Sequence, residues 1–289
     1  MRVIVTADLH YDVGRSREPT RAIAREIVER GGDVLLIVGD CASSDLRVLD
    51  ESLALFDGFR GAKLAVAGNH ELWTVGAASS LHRYENELGE VFSRNGFHFL
   101  DQRPIVLDDV AFVGNVGWYD FSFRPSIMKI PLRFFQSKVG PGAAARLEEH
   151  QSLLERRDDL SEGAMQVTAR WMDGVRVKLP MSDAAFTQRL AERLRSHLDA
   201  VSGRSRQVVA AIHHLPFSEM IPHSVLPDWE FATAFHGAEI FGEVILNYPT
   251  VTHVFSGHIH REKRLKKRNL NCMSIGSTYT EKRYEVLDV

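Results

Sequence analysis

Five short apolar runs each end in residues able to hold a metal ion, and this pattern constrains the chain more than any other feature. VIVTA (3–7) leads into Asp8 and His10, and VLLIVG (34–39) into Asp40. LAVAG (64–68) leads into Asn69 and His70, VVAAI (208–212) into His213 and His214, and VTHVFSG (251–257) into His258 and His260. Short β-branched runs without polar alternation read as strands covered on both faces. Amphipathic stretches follow the first two. PTRAIAREIVER (19–30) opens on Pro and stops at Gly31 and Gly32, and SSDLRVLDESLALFDGF (43–59) offers Ser N-caps. Such β-α-β-α-β alternation builds a parallel sheet. Ligands of open α/β sheets gather beyond the carboxyl ends of the strands, which is where these Asp, His and Asn residues fall.

The remaining chain reads as one domain over 1–289 with a change of character in the middle. RPIVLDD (103–109) and VAFVGNVGW (110–118) continue the strands, and NCMSIGST (271–278) and KRYEVLDV (282–289) close them. From 118 to 205 the pattern turns helical: AAARLEEHQSLLERRDDL (143–160) and SDAAFTQRLAERLRSHLDAV (182–201) are charged and amphipathic, and FRPSIMKIPLRFF (123–135) is aromatic and broken by Pro. We read 118–205 as a helical insertion that caps the site, or else as a helical layer of the main fold.

Composition narrows the function classes. A formal charge of -3 leaves no overall basic field for nucleic acid, so any such contact needs a local patch. No stretch has the apolar length of a membrane helix, and MRVIVTADLH turns polar too soon for a signal peptide. Two distant cysteines, Cys41 and Cys272, imply no disulfide framework, and a reduced, cytoplasmic setting is expected. No P-loop, nucleophile elbow or H-E-x-x-H metalloprotease motif is present.

The donor types select the metal. Imidazoles mixed with carboxylates suit Mn, Fe, Zn or Co better than Mg or Ca, which prefer oxygen shells. Asp8, His10, Asp40, Asn69, one of His213 and His214, His258 and His260 are too many donors for one ion with an open position. Two ions ~3.5–4 Å apart that share a carboxylate account for them. Residues two apart beyond a strand can point to different neighbours, so His258 and His260 would serve one ion each.

Together these motifs resemble the calcineurin-like metallophosphoesterases. That family carries D-x-H, G-D, G-N-H with an acidic residue, a strand-terminal H and G-H-x-H. This chain has Asp8-Leu9-His10, Gly39-Asp40, Gly68-Asn69-His70-Glu71, His213-His214 and Gly257-His258-Ile259-His260, in that order. The resemblance implies an α/β fold, a two-sheet β-sandwich flanked by helices, with two divalent ions, Mn2+ first among them, at one edge. It implies Asp8, His10, Asp40 and His260 on one ion, and Asp40, Asn69, a 213/214 histidine (His213 favoured) and His258 on the other, with Asp40 as the bridge. Two such cations polarise phosphoryl oxygens and lower the pKa of a shared water for in-line attack on a phosphoester substrate. His70, not a ligand in that pattern, would protonate the leaving oxygen, an effect of roughly 10²–10⁴ in rate. The phosphoprotein phosphatase branch has G-D-x-x-D; here the stretch is GDCASSD, with Ser43 where that branch has its second Asp.

Weaker candidates surround this core. Arg15, Arg17, His214 and His236 are candidates for substrate binding, each with a plain structural alternative. REKRLKKR (261–268) reads as a solvated hairpin or, in a nuclease, as a phosphate contact. GWYDFSF (117–123) reads as core or as a stacking surface, and Cys41 as a small buried side chain. A phosphodiesterase is the leading expectation. A nuclease on DNA or RNA, a phosphomonoesterase and a non-catalytic metal-binding scaffold are the alternatives, and the sequence is silent on oligomeric state.

Overall fold

The computed structural model describes residues 1–126 and 128–289; Ile127, inside the 118–205 stretch, lies outside the described residues. The first sheet holds β1 (Arg2–Thr6), β2 (Val34–Val38), β3 (Ala62–Val66), β4 (Phe97–Phe99) and β11 (Tyr284–Asp288), in the order β11-β1-β2-β3-β4. β1 to β3 run parallel, as the alternation predicts, β4 extends them in the same direction, and β11 is antiparallel at the edge. The second sheet holds β5 (Ile105–Leu107), β6 (Val110–Asn115), β7 (Gln207–Ile212), β8 (Val251–Ser256), β9 (Lys263–Lys267) and β10 (Leu270–Ser274), in the order β5-β6-β7-β8-β10-β9.

Side-chain alternation explains why the strand runs are apolar throughout. Val3, Val5, Leu36, Val38 and Val66 of the first sheet meet Phe112, Val209, Ala211 and Phe255 of the second in an inner core. The opposite faces, with Ile4, Leu35, Ile37 and Ile212, pack under helices. These include α1 (Gly14–Arg30), α2 (Leu46–Ala54) and the long helix Asp183–Ser202. The result is the expected two-sheet α/β sandwich with helices on its outer faces.

Three sequence expectations shift. α1 starts at Gly14 rather than Pro19, because the chain turns at once after the first site residues. Val13 N–H donates to the His10 carbonyl, and the Ser16 and Thr20 hydroxyls both donate to the Leu9 carbonyl. α2 is capped by Asp45, which accepts from Arg47 N–H, and not by Ser43 or Ser44. The 143–160 stretch is no amphipathic helix: it forms Pro141–Ala144 and a 3-10 stretch Glu148–Leu154. There the Arg133 guanidinium takes the Leu153 and Arg156 carbonyls and the Asp159 carboxylate, groups a continuous helix would engage otherwise. The 182–201 stretch is helical as expected and packs on β6 and the helix Glu239–Leu246. Among the described residues, no helix is long and apolar enough to cross a membrane.

Candidate metal centre

The ends of β1, β2, β3, β7 and β8 converge at one edge of the sandwich, and the turns there are unusual. Asp8, His10, Asp40, His258 and His260 all have positive φ, between 43° and 71°. Left-handed backbone costs an L-residue roughly 1–2 kcal/mol, and such conformations persist where the surroundings impose them, often at functional sites. Glu71, fully buried, imposes this conformation at Asp40. Its carboxylate accepts the backbone N–H groups of Asp40, Ala42 and Gly68, tying the end of β2 to the end of β3. Burial and the nearby Asp40 charge push its carboxyl up to about 8. Gly68 has to be glycine: a Cβ there would run into Asp40 Oδ1 and lie 2.6 Å from the Asp40 nitrogen. Gly257 is constrained likewise, with Asp8 Oδ2 2.7 Å from the place of its Cβ.

Two groups of ligand atoms result: Asp8, His10, Asp40 and His260 form one, and Asp40, His213 and His258 the other. His10 Nε2 and His260 Nε2 are 3.0 Å apart, and His260 Nε2 lies 3.7 Å from Asp8 Oδ1. Asp40 belongs to both groups. Its Oδ2 is 3.6 Å from His10 Nε2 on one side and 3.3 Å from His213 Nε2 on the other. Asn69 joins the second group, with Oδ1 3.1 Å from His258 Nδ1. All seven expected donors therefore face one volume. The two adjacent histidines face different ways. His213 Nδ1 sits 2.8 Å from the Val38 carbonyl and turns Nε2 to Asp40, whereas His214 is held against the Val116 carbonyl, away from Asp40.

The electrostatics match a cation site. Burial raises Asp8 above the usual carboxylate range, partly offset by His260 and His213. Burial acts the same way on Asp40, but His213 and His70 outweigh it and hold Asp40 well below that range. Burial keeps His10 and His258 well below the ordinary imidazole value, so both stay neutral, the form that binds metals. Burial opposes the charge on His213, yet Asp40 drives it up to about 10. Asp8 Oδ2 is buried without a hydrogen-bond partner, and His213 Nε2 faces only the Asp40 carboxylate, at 3.3 Å. Unpartnered buried polar atoms are rare in folded proteins, and two ions shared through Asp40 would engage both.

The remaining candidates spread out. His70 lines a pocket of about 280 Å³ whose wall also includes Trp73, Arg170, Trp171, Asp173 and Tyr279. Its ring stacks on Trp73 with centroids 3.8 Å apart, and its Nε2 lies 3.9 Å from Asp40 Oδ2. Arg15 lies over the ring of Tyr279, 4.7 Å from its centre, and does not itself line the pocket. Arg17 donates to the Tyr11 carbonyl and secures the turn after β1. His214 and His236 are buried behind His258 and do not line this pocket. Burial pushes both rings down to about 3. Trp118 and Tyr119 are core residues, and Cys41 is buried. In the 261–268 hairpin, Arg264 pairs with Glu262 and Glu285, and Lys267 with Glu219. Sequence reasoning missed Trp73, Tyr279 and Asp173. Trp73 lies just past the Gly68-Asn69-His70-Glu71 block and Tyr279 just past NCMSIGST, but neither is a usual metal donor; Asp173 is brought to the site by the fold alone.

No curated protein is similar to the chain at a significant level. Among solved structures, phosphopantetheinyl hydrolase from Mycobacterium tuberculosis superposes over 98% of this chain and 95% of its own, with TM-score 0.69 and 17% identity. A dimetal phosphatase from Danio rerio covers 99% and 91%, with TM-score 0.55 and 14% identity. At such identities the likeness speaks for the fold. The family profile described as calcineurin-like phosphoesterase matches residues 1–262, every ligand block included. The chain therefore belongs to the calcineurin-like phosphoesterases, a family of metal-dependent hydrolases of phosphoric esters.

Proposed function

We propose that this protein is a phosphodiesterase working with two divalent ions, Mn2+ the first choice. The observation that carries the dinuclear part is the Asp40 carboxylate, common to both ligand groups and facing a histidine of each with one oxygen. Asp8, His10, Asp40 and His260 would hold one ion, and Asp40, Asn69, His213 and His258 the other. Bound there, such ions supply Lewis acidity toward the phosphoryl oxygens and acidify water. The chain's own residues do the rest. His70, stacked on Trp73 in the pocket wall, protonates or hydrogen-bonds the departing oxygen.

The pocket supports a diester over a monoester. A monoester dianion needs several cationic donors, but the wall offers one arginine, Arg170, beside Trp73, Trp171, Met172 and Tyr279. Aromatic and thioether surfaces suit the second ester group of a diester, which carries one charge fewer. Arg170, Trp171 and Met172 come from the 118–205 stretch, so we take that part of it as a cap shaping this subsite. The free, buried thiols of Cys41 and Cys272 fit a reducing compartment, and the cytoplasm is the location we propose.

Steady-state rates on bis(4-nitrophenyl) and 4-nitrophenyl phosphate with Mn2+ test the reading. We expect the diester to be cleaved faster, and a clear monoester preference sinks the proposal. A phosphopantetheine-bearing diester, DNA and RNA complete the panel. Salt-sensitive cleavage of nucleic acid, weakened by neutralising Lys263 and Lys266, would instead favour a nuclease.

A further inference from the structure

The family motifs leave unexplained a carboxylate at the heart of the site. Asp173 is 1% exposed and lies far along the chain from every ligand block. Four donors converge on it. Asn69 Nδ2 (2.9 Å) and Trp73 Nε1 (2.7 Å) donate to Oδ1, and Trp171 Nε1 (2.9 Å) and the Tyr119 hydroxyl (3.1 Å) to Oδ2. Each of the first two contacts controls a group at the site. An asparagine amide can turn either its oxygen or its NH2 toward a neighbour. With Nδ2 fixed on Asp173, Asn69 presents Oδ1 to the His258 side, the only end of the amide that can bind a cation. Trp73, fixed through its indole N–H, is the platform on which His70 stacks.

The G-D-x-x-D branch has a second Asp three residues after the first. Here Ser43 occupies that place and turns away, donating to Asp12 at 2.6 Å. The cap supplies a carboxylate from another direction.

We propose that Asp173 is a positioning residue for two groups at once: the ligand Asn69 and, through Trp73, His70. This rests on the dinuclear reading above. It predicts separable effects, which a general packing role does not. Loss of the carboxylate should weaken the ion that Asn69 serves and leave the other alone. Loss of the Trp73 donor should slow turnover and leave both ions alone.

Three variants make the test: Asp173→Leu, Asp173→Asn and Trp73→Phe, each first shown folded by circular dichroism. Metal-free protein is titrated with Mn2+ by calorimetry, and kcat and KM are measured on a diester with a poor, alkoxide leaving group, which needs protonation. For Asp173→Leu we expect one of two binding steps to weaken about 10–100-fold, with the other unchanged. Asp173→Asn, which keeps an acceptor oxygen for Asn69 and Trp73, should weaken the same step less. Trp73→Phe should bind both ions as wild type does and lose kcat with little change in KM. Both steps unchanged in Asp173→Leu, or both weakened alike, would overturn the Asn69 half. If that variant does not fold, an unchanged Asp173→Asn titration does so. An unchanged kcat in Trp73→Phe overturns the His70 half. Wild-type protein that takes up a single ion refutes the dinuclear reading itself, and the Asn69 half with it, while the Trp73→Phe result still decides the other half.

Discussion

Removing Asp40 should abolish two stabilising events, and removing His260 only one. The two ligand groups share only Asp40. An ion that binds the folded state alone, free at 100 times its dissociation constant, adds about 2.7 kcal/mol, so two add about 5 kcal/mol. Unfolding entropy near 60 °C is about 2 cal/mol/K per residue, so for 289 residues this corresponds to a rise in Tm of about 9 °C. The assay is scanning calorimetry of chelated protein with increasing Mn2+, comparing only the metal-dependent increments. Asp40→Ala alters the metal-free state as well, since it strips His213 of its carboxylate partner. Wild type should show the full increment, His260→Ala about half, and Asp40→Ala almost none. A full increment in Asp40→Ala would refute the shared-carboxylate reasoning. Loss of the whole increment in His260→Ala would show that the two groups do not bind independently.

Three further outcomes follow from the site. His70→Asn should keep both ions and lower turnover on a poor leaving group by about 10²–10⁴, with a much smaller loss on nitrophenolate esters; equal losses on both would assign His70 to binding instead. In the metal-free protein Asp40 drives His213 up to about 10, so the ring is protonated at neutral pH and each binding event there must expel that proton. Affinity for the His213 ion should therefore rise about tenfold per pH unit from pH 7 toward pH 9, with proton release visible as a buffer-dependent heat; a pH-independent affinity would contradict this. Gly68→Ala, whose methyl group would strike Asp40, should lose ion binding while the fold persists, as read by calorimetry and circular dichroism.

The convergence of the candidate donors was legible because each sits just past an apolar run, and strands covered on both faces announce themselves by being apolar throughout. The choice between His213 and His214 was not, since it depends on which ring a carbonyl holds: Val38 for one, Val116 for the other. Asp173 left no trace in the sequence, because WMDG lies in an irregular stretch without period and its partners Asn69, Trp73 and Tyr119 are distant along the chain. The 143–160 helix failed for a related reason. Arg133, a residue outside the window that shows the amphipathic period, captures the carbonyls.

Anomalous diffraction from crystals of the Mn2+-loaded protein tests the central claim most directly. The account predicts two peaks about 3.5–4 Å apart with Asp40 touching both, Asp8, His10 and His260 around one and Asn69, His213 and His258 around the other. A single peak, or two peaks without Asp40 between them, would contradict it.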